Sequence, residues 1–295
     1  MRILIMAIAL AFAMIQPVSA AVYQQGVIYV IYEENVIKDN ADLNSNDVPD
    51  YVEDMATQVN AAREVFKDVF KFPDPLESER FKGVTSIEID LLDREELGNS
   101  GKAFSNVRKK SKHDPNERAI YIKLANTVDS HKKPTPTHEY FHLVQYGATY
   151  FRNGWFLEGM ATWAEDSVSE IKKYPNDLAI PLKLRSKTYE NQIFEKKYST
   201  AKTLWFPIAI SKKDKAKIPA SLIKKYKYVD GTPVFHDDVI YGANVMRDII
   251  HKMKDKEEVA AANFGGFENW RKKGQRDEQN NEIIMDCVRE VYYSR

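Results

Sequence analysis

His138 and His142 bracket Glu139 in the run Thr137-His138-Glu139-Tyr140-Phe141-His142. Residues four apart share one face of a helix, so both imidazoles can address a single cation. The chemistry that uses this set is hydrolysis assisted by Zn²⁺. Two neutral imidazoles hold the ion with one coordination position left open, and the carboxylate beside the first of them takes the proton from the water that the metal acidifies. The run can be helical. Pro134 and Pro136 precede it, and Thr135 or Thr137 can cap its first turn. His138, Phe141, His142 and Gln145 share a face, and Gly147 offers a stop.

A zinc site needs a third protein ligand. Glu158, in Trp155-Phe156-Leu157-Glu158-Gly159-Met160-Ala161-Thr162-Trp163-Ala164-Glu165-Asp166, is the natural candidate. The intervening Tyr150-Phe151-Arg152-Asn153-Gly154 can fold this second helix back against the first. Glu165 lies two turns beyond Glu158 on roughly the same face. A carboxylate that orients a ligand imidazole is expected there.

From Thr137 to Asp166 the chain resembles the gluzincin zinc metallopeptidases, aminopeptidase-like branch, through H-E-x-x-H followed by W-x-x-E-G-x-A-x-x-x-E. The resemblance implies His138, His142 and Glu158 as zinc ligands and Glu139 as the general base. It implies a zincin-like α+β peptidase of two lobes, and it extends to small secreted bacterial metallopeptidases. In such enzymes a Tyr or His from the later lobe donates to the oxyanion. Tyr241, expected at a helix start, is the first candidate and His236 the second; a packing role for Tyr241 is the plain alternative. The strand nearest the cleft pairs with an extended substrate, which assigns that role to the 118–124 strand or to the 101–105 segment. No G-x-M-E-N-like strand that would grip a free amino terminus is present, so aminopeptidase specificity is not implied.

The elements that must hold these residues follow from periodicity. Val27–Tyr32 reads as a buried strand, and Val84–Leu92 alternates like a strand with one buried face. Asp50–Phe70 carries an apolar stripe, Val52, Met55, Val59, Ala62, Val65 and Phe66, which is core. Lys109–Pro115 reads as a solvated charged loop, and His113, His131 and His251 as loop or surface residues. Residues 118–124 form a strand just before the metal helix. Beyond Asp166 the pattern is mainly helical, with an irregular 176–187 stretch, an apolar 204–210 run, and helices over 218–226, 238–254 and 283–293. The expected architecture is α+β: a lobe over 21–150 with a mixed sheet and the metal helix, and a mostly helical lobe over 151–295 carrying Glu158. The cleft lies between them.

Asp42, Asn44, Asn46, Val48, Asp50 and Glu53 stand at positions 1, 3, 5, 7, 9 and 12 of a loop with EF-hand-like calcium spacing. Asp47 replaces the usual turn glycine, and Pro49 replaces an apolar pairing residue. The spacing fits an isolated calcium loop of an extracellular protein, and it equally fits an Asx-rich turn leading into a helix.

A basic start, an apolar run from Ile3 to Ile15 and the sequence Val18-Ser19-Ala20-Ala21 read as a signal peptide cleaved after Ala20 or Ala21, with an uncleaved anchor as the alternative. The expected destination is secreted or periplasmic, with no membrane contact after cleavage. With 43 basic and 43 acidic residues the net charge is zero, so nothing favours a nucleic-acid partner. Cys287, the single cysteine, forms no intrachain disulfide and reads as a structural thiol. The function expected is a secreted zinc metallopeptidase acting on protein or peptide substrates. The competing readings are an exported calcium-binding or adhesion protein, and a zinc hydrolase of non-peptide amides.

Overall fold

The computed structural model describes residues 20–168 and 179–295. The leader expected over residues 1–20 therefore lies outside the described residues, except for Ala20, as do the first residues of the 176–187 stretch. The architecture is mixed α+β. Strands β1 (Ala21–Gln25), β2 (Ile28–Tyr32), β3 (Ser86–Leu92), β4 (Gly101–Ala103) and β5 (Ala119–Ala125) form one sheet in the order β1-β2-β3-β5-β4. The central pairs β2–β3 and β3–β5 are parallel, and the two outer pairs are antiparallel. Helices α1 (Asp50–Glu64), α2 (Arg94–Leu97), α3 (Thr135–Ala148) and α4 (Gly154–Ala164) complete the first half. After them come α5 (Ile180–Lys183), α6 (Lys187–Phe194), α7 (Phe206–Ser211), α8 (Ala220–Lys225), α9 (Ala243–Asp255), α10 (Glu257–Ala262) and α11 (Asn280–Ser294), with a small antiparallel ribbon of β6 (Lys215–Lys217) and β7 (Val239–Tyr241). No described helix is long and apolar enough to cross a membrane.

A single buried apolar cluster runs through both halves, from Ile28 to Tyr292. Its centre is aromatic. Phe66, in the wide turn that extends α1 over Val65–Val69, packs on Phe141 of α3 with ring centroids 5.0 Å apart. Phe141 in turn meets Trp163 of α4 at 5.9 Å. Burying such side chains is worth roughly 1.5–3 kcal/mol each, which fixes α3 and α4 on one another and on α1. Cys287 lies in this core, where burial pushes its thiol up to about 12 and makes it a structural residue.

Several expectations are corrected. β3 is buried on both faces, because the 105–118 segment folds over the polar one. There Glu88 accepts the backbone N–H of Lys112 and His113 at 2.6 and 3.1 Å and pairs with Arg108, while Arg108 also reaches Asp90 at 2.7 Å. Burial alone would raise the Glu88 carboxyl, but the His113 bonds and the Arg108 charge outweigh it and hold it below its ordinary value. His113 is accordingly no surface residue; it stacks on Tyr29 at 3.6 Å. His131 does lie in a loop, where it pairs with Asp54 at 2.6 Å. Neither Thr135 nor Thr137 caps α3. The backbone N–H of Thr137 instead donates to Gln58 of α1 at 3.3 Å, so a neighbouring helix satisfies the first turn. Gly147 does not end the helix. It sits within α3 where an added Cβ would lie 3.1 Å from the Cα of Pro75. The helix expected over 238–254 begins only at Ala243, because Val239–Tyr241 pairs as a strand with Lys215–Lys217 and Gly242, at φ 83°, turns the chain between them.

Gly159 follows Glu158 and lets the 200–205 segment close on α4. A Cβ there would fall 1.9 Å from Thr200 Oγ1 and 2.5 Å from Trp205 Nε1, both of which donate to the Trp155 carbonyl. Gly159→Ala is therefore expected to destabilise the protein by about 1–3 kcal/mol, read as a fall of several degrees in thermal melting; an unchanged midpoint would show that this contact is not close.

Candidate metal centre

α3 is buried along almost its whole length, so its two histidines point into protein rather than solvent. α4 is apolar nearly all round. Its least buried positions, Gly154, Glu158 and Thr162, recur at helical spacing, and Glu165 continues the stripe just past its end. Glu158 and Glu165 of that stripe meet the histidines of α3. His138 Nε2 lies 3.3 Å and His142 Nε2 3.4 Å from Glu158 Oε2. The ligand atoms of these three residues all lie within 4.8 Å of one another, and no second group of three or more His, Cys, Asp or Glu side chains gathers this closely among the described residues.

The remaining imidazole nitrogens are both taken. His138 Nδ1 lies 2.8 Å from Glu165 Oε1, and His142 Nδ1 lies 2.8 Å from Gln145 Oε1. Each therefore donates from Nδ1 and turns Nε2 toward Glu158, where the neutral imidazole would offer its lone pair to a metal ion. Gln145 also donates to the Leu157 carbonyl at 3.2 Å, which ties the helix of the histidines to the helix of the glutamate.

The charges are unusual. Burial works against a charged His138, but the hydrogen bonds it donates to Glu158 and Glu165 and the charge of Glu139 push it up to about 10. Burial would raise Glu158, yet its bonds to both histidines hold it well below the ordinary carboxylate range. Glu139 is raised, first by burial and also by the charge of Glu158, against the lowering effect of the two histidines. Its carboxylate accepts a backbone hydrogen bond from Ala103 and packs beneath β4, where a Cβ on Gly101 would come within 2.7 Å of it.

β4 is the outermost strand of the sheet. β5 is covered along its outer side by Ser100, by Gly101–Ala103 and by Phe104 and Arg108, so it has no free edge there. Of the two segments expected to meet a substrate backbone, only 101–105 has an edge that no described strand pairs, and on it the Ala103 N–H is given to Glu139.

Tyr241 lies in β7. Its carbonyl accepts from Trp163 Nε1 at 2.8 Å, and its ring lies under Lys215 at 5.4 Å. His236 is exposed. The phenol that does touch the centre is Tyr198, 59% exposed, with its ring 5.9 Å from that of His138 and its hydroxyl bonded to Glu158. Partial burial and the Glu158 charge push that hydroxyl up to about 12. Tyr146 stacks on His142 at 5.9 Å. Gln145 could be found from its place one turn after His142; nothing in the spacing around Tyr198 marks it.

No family model, no curated protein and no solved structure matches the chain.

The 42–53 loop closes on its own donors. Asp42 accepts the backbone N–H of Asn46 and Asp47 at 3.1 and 2.9 Å, and Asp50 accepts that of Leu43 at 3.1 Å. Glu53 accepts the side-chain amides of Asn44 and Asn46 at 2.9 and 3.0 Å. Ser45 and Asp47 adopt positive φ. A half-turn of each Asn amide exchanges donor for acceptor and sets its oxygen against Glu53, an arrangement that a cation stabilises. Millimolar calcium is expected to raise the melting temperature and chelator to reverse it; an unchanged midpoint would leave the loop as the turn that leads into α1.

Proposed function

We propose that the chain is an exported zinc-dependent metallopeptidase of gluzincin type, acting on protein or peptide substrates. The observation that carries this reading is the meeting of three donors, His138 Nε2, His142 Nε2 and Glu158 Oε2, with buried Glu139 alongside. Tetrahedral Zn²⁺ with N and O ligands at ~2.0–2.2 Å requires ligand atoms about 3.3 Å apart. The two His–Glu158 separations, 3.3 and 3.4 Å, suit that requirement, while the three donors together span up to 4.8 Å. The donor set, two neutral imidazoles and one carboxylate, also suits zinc and leaves a position open.

Zinc held by these residues would polarise the scissile carbonyl and acidify a water. The rest of the chemistry belongs to the chain. Glu139 takes a proton from the attacking water and delivers it to the leaving nitrogen, and a carboxyl raised by burial is suited to that exchange near neutral pH. Glu165 and Gln145 hold the imidazoles in the required tautomer. Tyr198, rather than Tyr241, donates to the developing oxyanion. The outer edge of β4 accepts an extended peptide by main-chain pairing, which binds without strong sequence preference. On this reading the sheet with α1 and α3 makes one lobe of a zincin-like fold, the helices after Ala148 make the other, and the substrate lies between them.

Elemental analysis paired with a casein or peptide-library digest tests the reading. One zinc per chain is expected, lost in His138→Ala. Glu139→Gln is expected to keep the zinc and lose about 100- to 10,000-fold in turnover; full activity in that variant would refute the base assignment. An exported calcium-binding or adhesion protein would hold no stoichiometric zinc. A zinc hydrolase of non-peptide amides would hold zinc yet cleave no peptide.

A further inference from the structure

The outermost strand of the sheet carries cations that the proposed chemistry does not use. Gly101 and Ala103 of β4 lie opposite Leu124 and Ile122, which are core residues, so this side of the strand faces α3 and Glu139. Lys102 and Phe104 therefore lie on the other face of the sheet. There Phe104 stacks on Tyr121 with ring centroids 4.4 Å apart and 15° between their planes. Arg108 lies 4.1 Å from the centre of the Tyr121 ring, and its ion pairs with buried Glu88 and Asp90 hold it in place. Lys102 Nζ stands 5.4 Å and Lys123 Nζ 5.7 Å from the centre of the Phe104 ring. Lys102 is exposed, while Phe104, Tyr121 and Lys123 are half-buried.

The acids of this face are already met. Asp90, the β3 partner of Lys123, pairs with Arg108 at 2.7 Å and with Lys112 at 3.1 Å, and Glu88 pairs with Arg108. Among the described residues no ion pair engages Lys102 or Lys123, so two like charges stand beside one ring. Their place gives them a use. The Ser100 carbonyl accepts the Ala125 N–H at 2.9 Å, and the Phe104 N–H donates to the Tyr121 carbonyl at 3.2 Å. By alternation the backbone groups of Lys102 also face β5. A strand added antiparallel to the outer edge of β4 would thus meet Lys102 as a non-hydrogen-bonded pair, the closer kind, with about 4.5 Å between Cα atoms. The side chain opposite Lys102 then stands over the same face as both ammonium groups, and its two neighbours turn toward Glu139.

We propose that Lys102 and Lys123, held over the Phe104–Tyr121 stack, form a subsite for an acidic side chain of the substrate, at the position opposite Lys102 when an extended peptide adds to β4. The inference rests on the peptidase reading for the source of the peptide, and on the two unpaired ammonium groups beside the edge for its charge. The aromatic pair gives the methylenes of a glutamate an apolar floor, and the lysines give its carboxylate two donors. Main-chain pairing is indifferent to sequence, so this subsite adds a charge preference at one position. Because it lies on the face away from Glu139, it acts on binding rather than on the chemical step.

The test uses the full zinc-loaded chain carrying Glu139→Gln, so that binding is read without turnover. Fluorescent peptides that carry Glu or Gln at one position at a time are titrated by anisotropy. One position is expected at which Glu binds about fivefold more tightly than Gln. The gap should shrink at high salt and fall in Lys102→Gln and in Lys123→Gln. It should invert, favouring Lys over Glu, in the double variant Lys102→Glu with Lys123→Glu, and persist in Lys273→Gln, an exposed lysine outside the sheet. Both side chains reach the surface, so folding is expected to survive these changes, as thermal melting will check. Equal binding of the Glu and Gln series, or a Glu preference that survives the charge reversal, overturns the subsite, whether or not the wild-type chain digests casein. A lysine-dependent Glu preference alongside a wild-type chain that cleaves no peptide supports the subsite and removes the peptidase reading.

Discussion

One carboxylate between two imidazoles depends on how α4 is seated on α3. Two histidines one turn apart need only a helix, but Glu158 must be brought in from another element. Three features of the packing do this. The aromatic cluster of Phe66, Phe141 and Trp163 fixes the helix pair from the core side. Gln145 links His142 to the Leu157 carbonyl, so the ligand next to Glu158 is bonded to the backbone of Glu158's own helix. Gly159 leaves room for Thr200 and Trp205 to lock α4 from behind.

The electrostatics separate this centre from the rest of the molecule. Elsewhere the fold neutralises buried acids with its own cations: Glu88 and Asp90 are met by Arg108 and by the backbone of the 105–118 segment. At the centre, Glu139 and Glu158 sit against two imidazoles, and among the described residues no ion pair brings either a Lys or Arg. Buried like charges are unfavourable unless something positive sits among them. A divalent cation at the Nε2 and Oε2 donors offsets that repulsion and frees both imidazoles from sharing protons with carboxylates. Arg152 is the mirror case, a buried cation with no carboxylate paired to it among the described residues.

Much of this was legible in the chain itself. His138 and His142 stand at helical spacing, as do Glu158 and Glu165, so local geometry pairs each couple, and the short turn between the helices together with the family resemblance pointed to their meeting. α1, β2, β5 and α11 were equally readable, since each carries a strong period. What was hidden depends on distant partners. The polar side of β3 alternates like a solvent face, and only the return of Arg108 and His113 buries it. Val239-Ile240-Tyr241 continues a helical pattern, and only pairing with Lys215–Lys217 makes it a strand. Tyr198 reaches Glu158 from a segment with no period of its own. The unpaired Arg152 could not be foreseen either, because a missing counter-ion is a property of packing.

Zinc K-edge X-ray absorption of the loaded protein tests the central claim most directly. The account predicts one zinc with two imidazole nitrogens and a carboxylate oxygen in a single shell at ~2.0–2.2 Å, and a changed oxygen contribution in Glu158→Gln. Scattering from one imidazole or none, or a spectrum indifferent to Glu158, would contradict it.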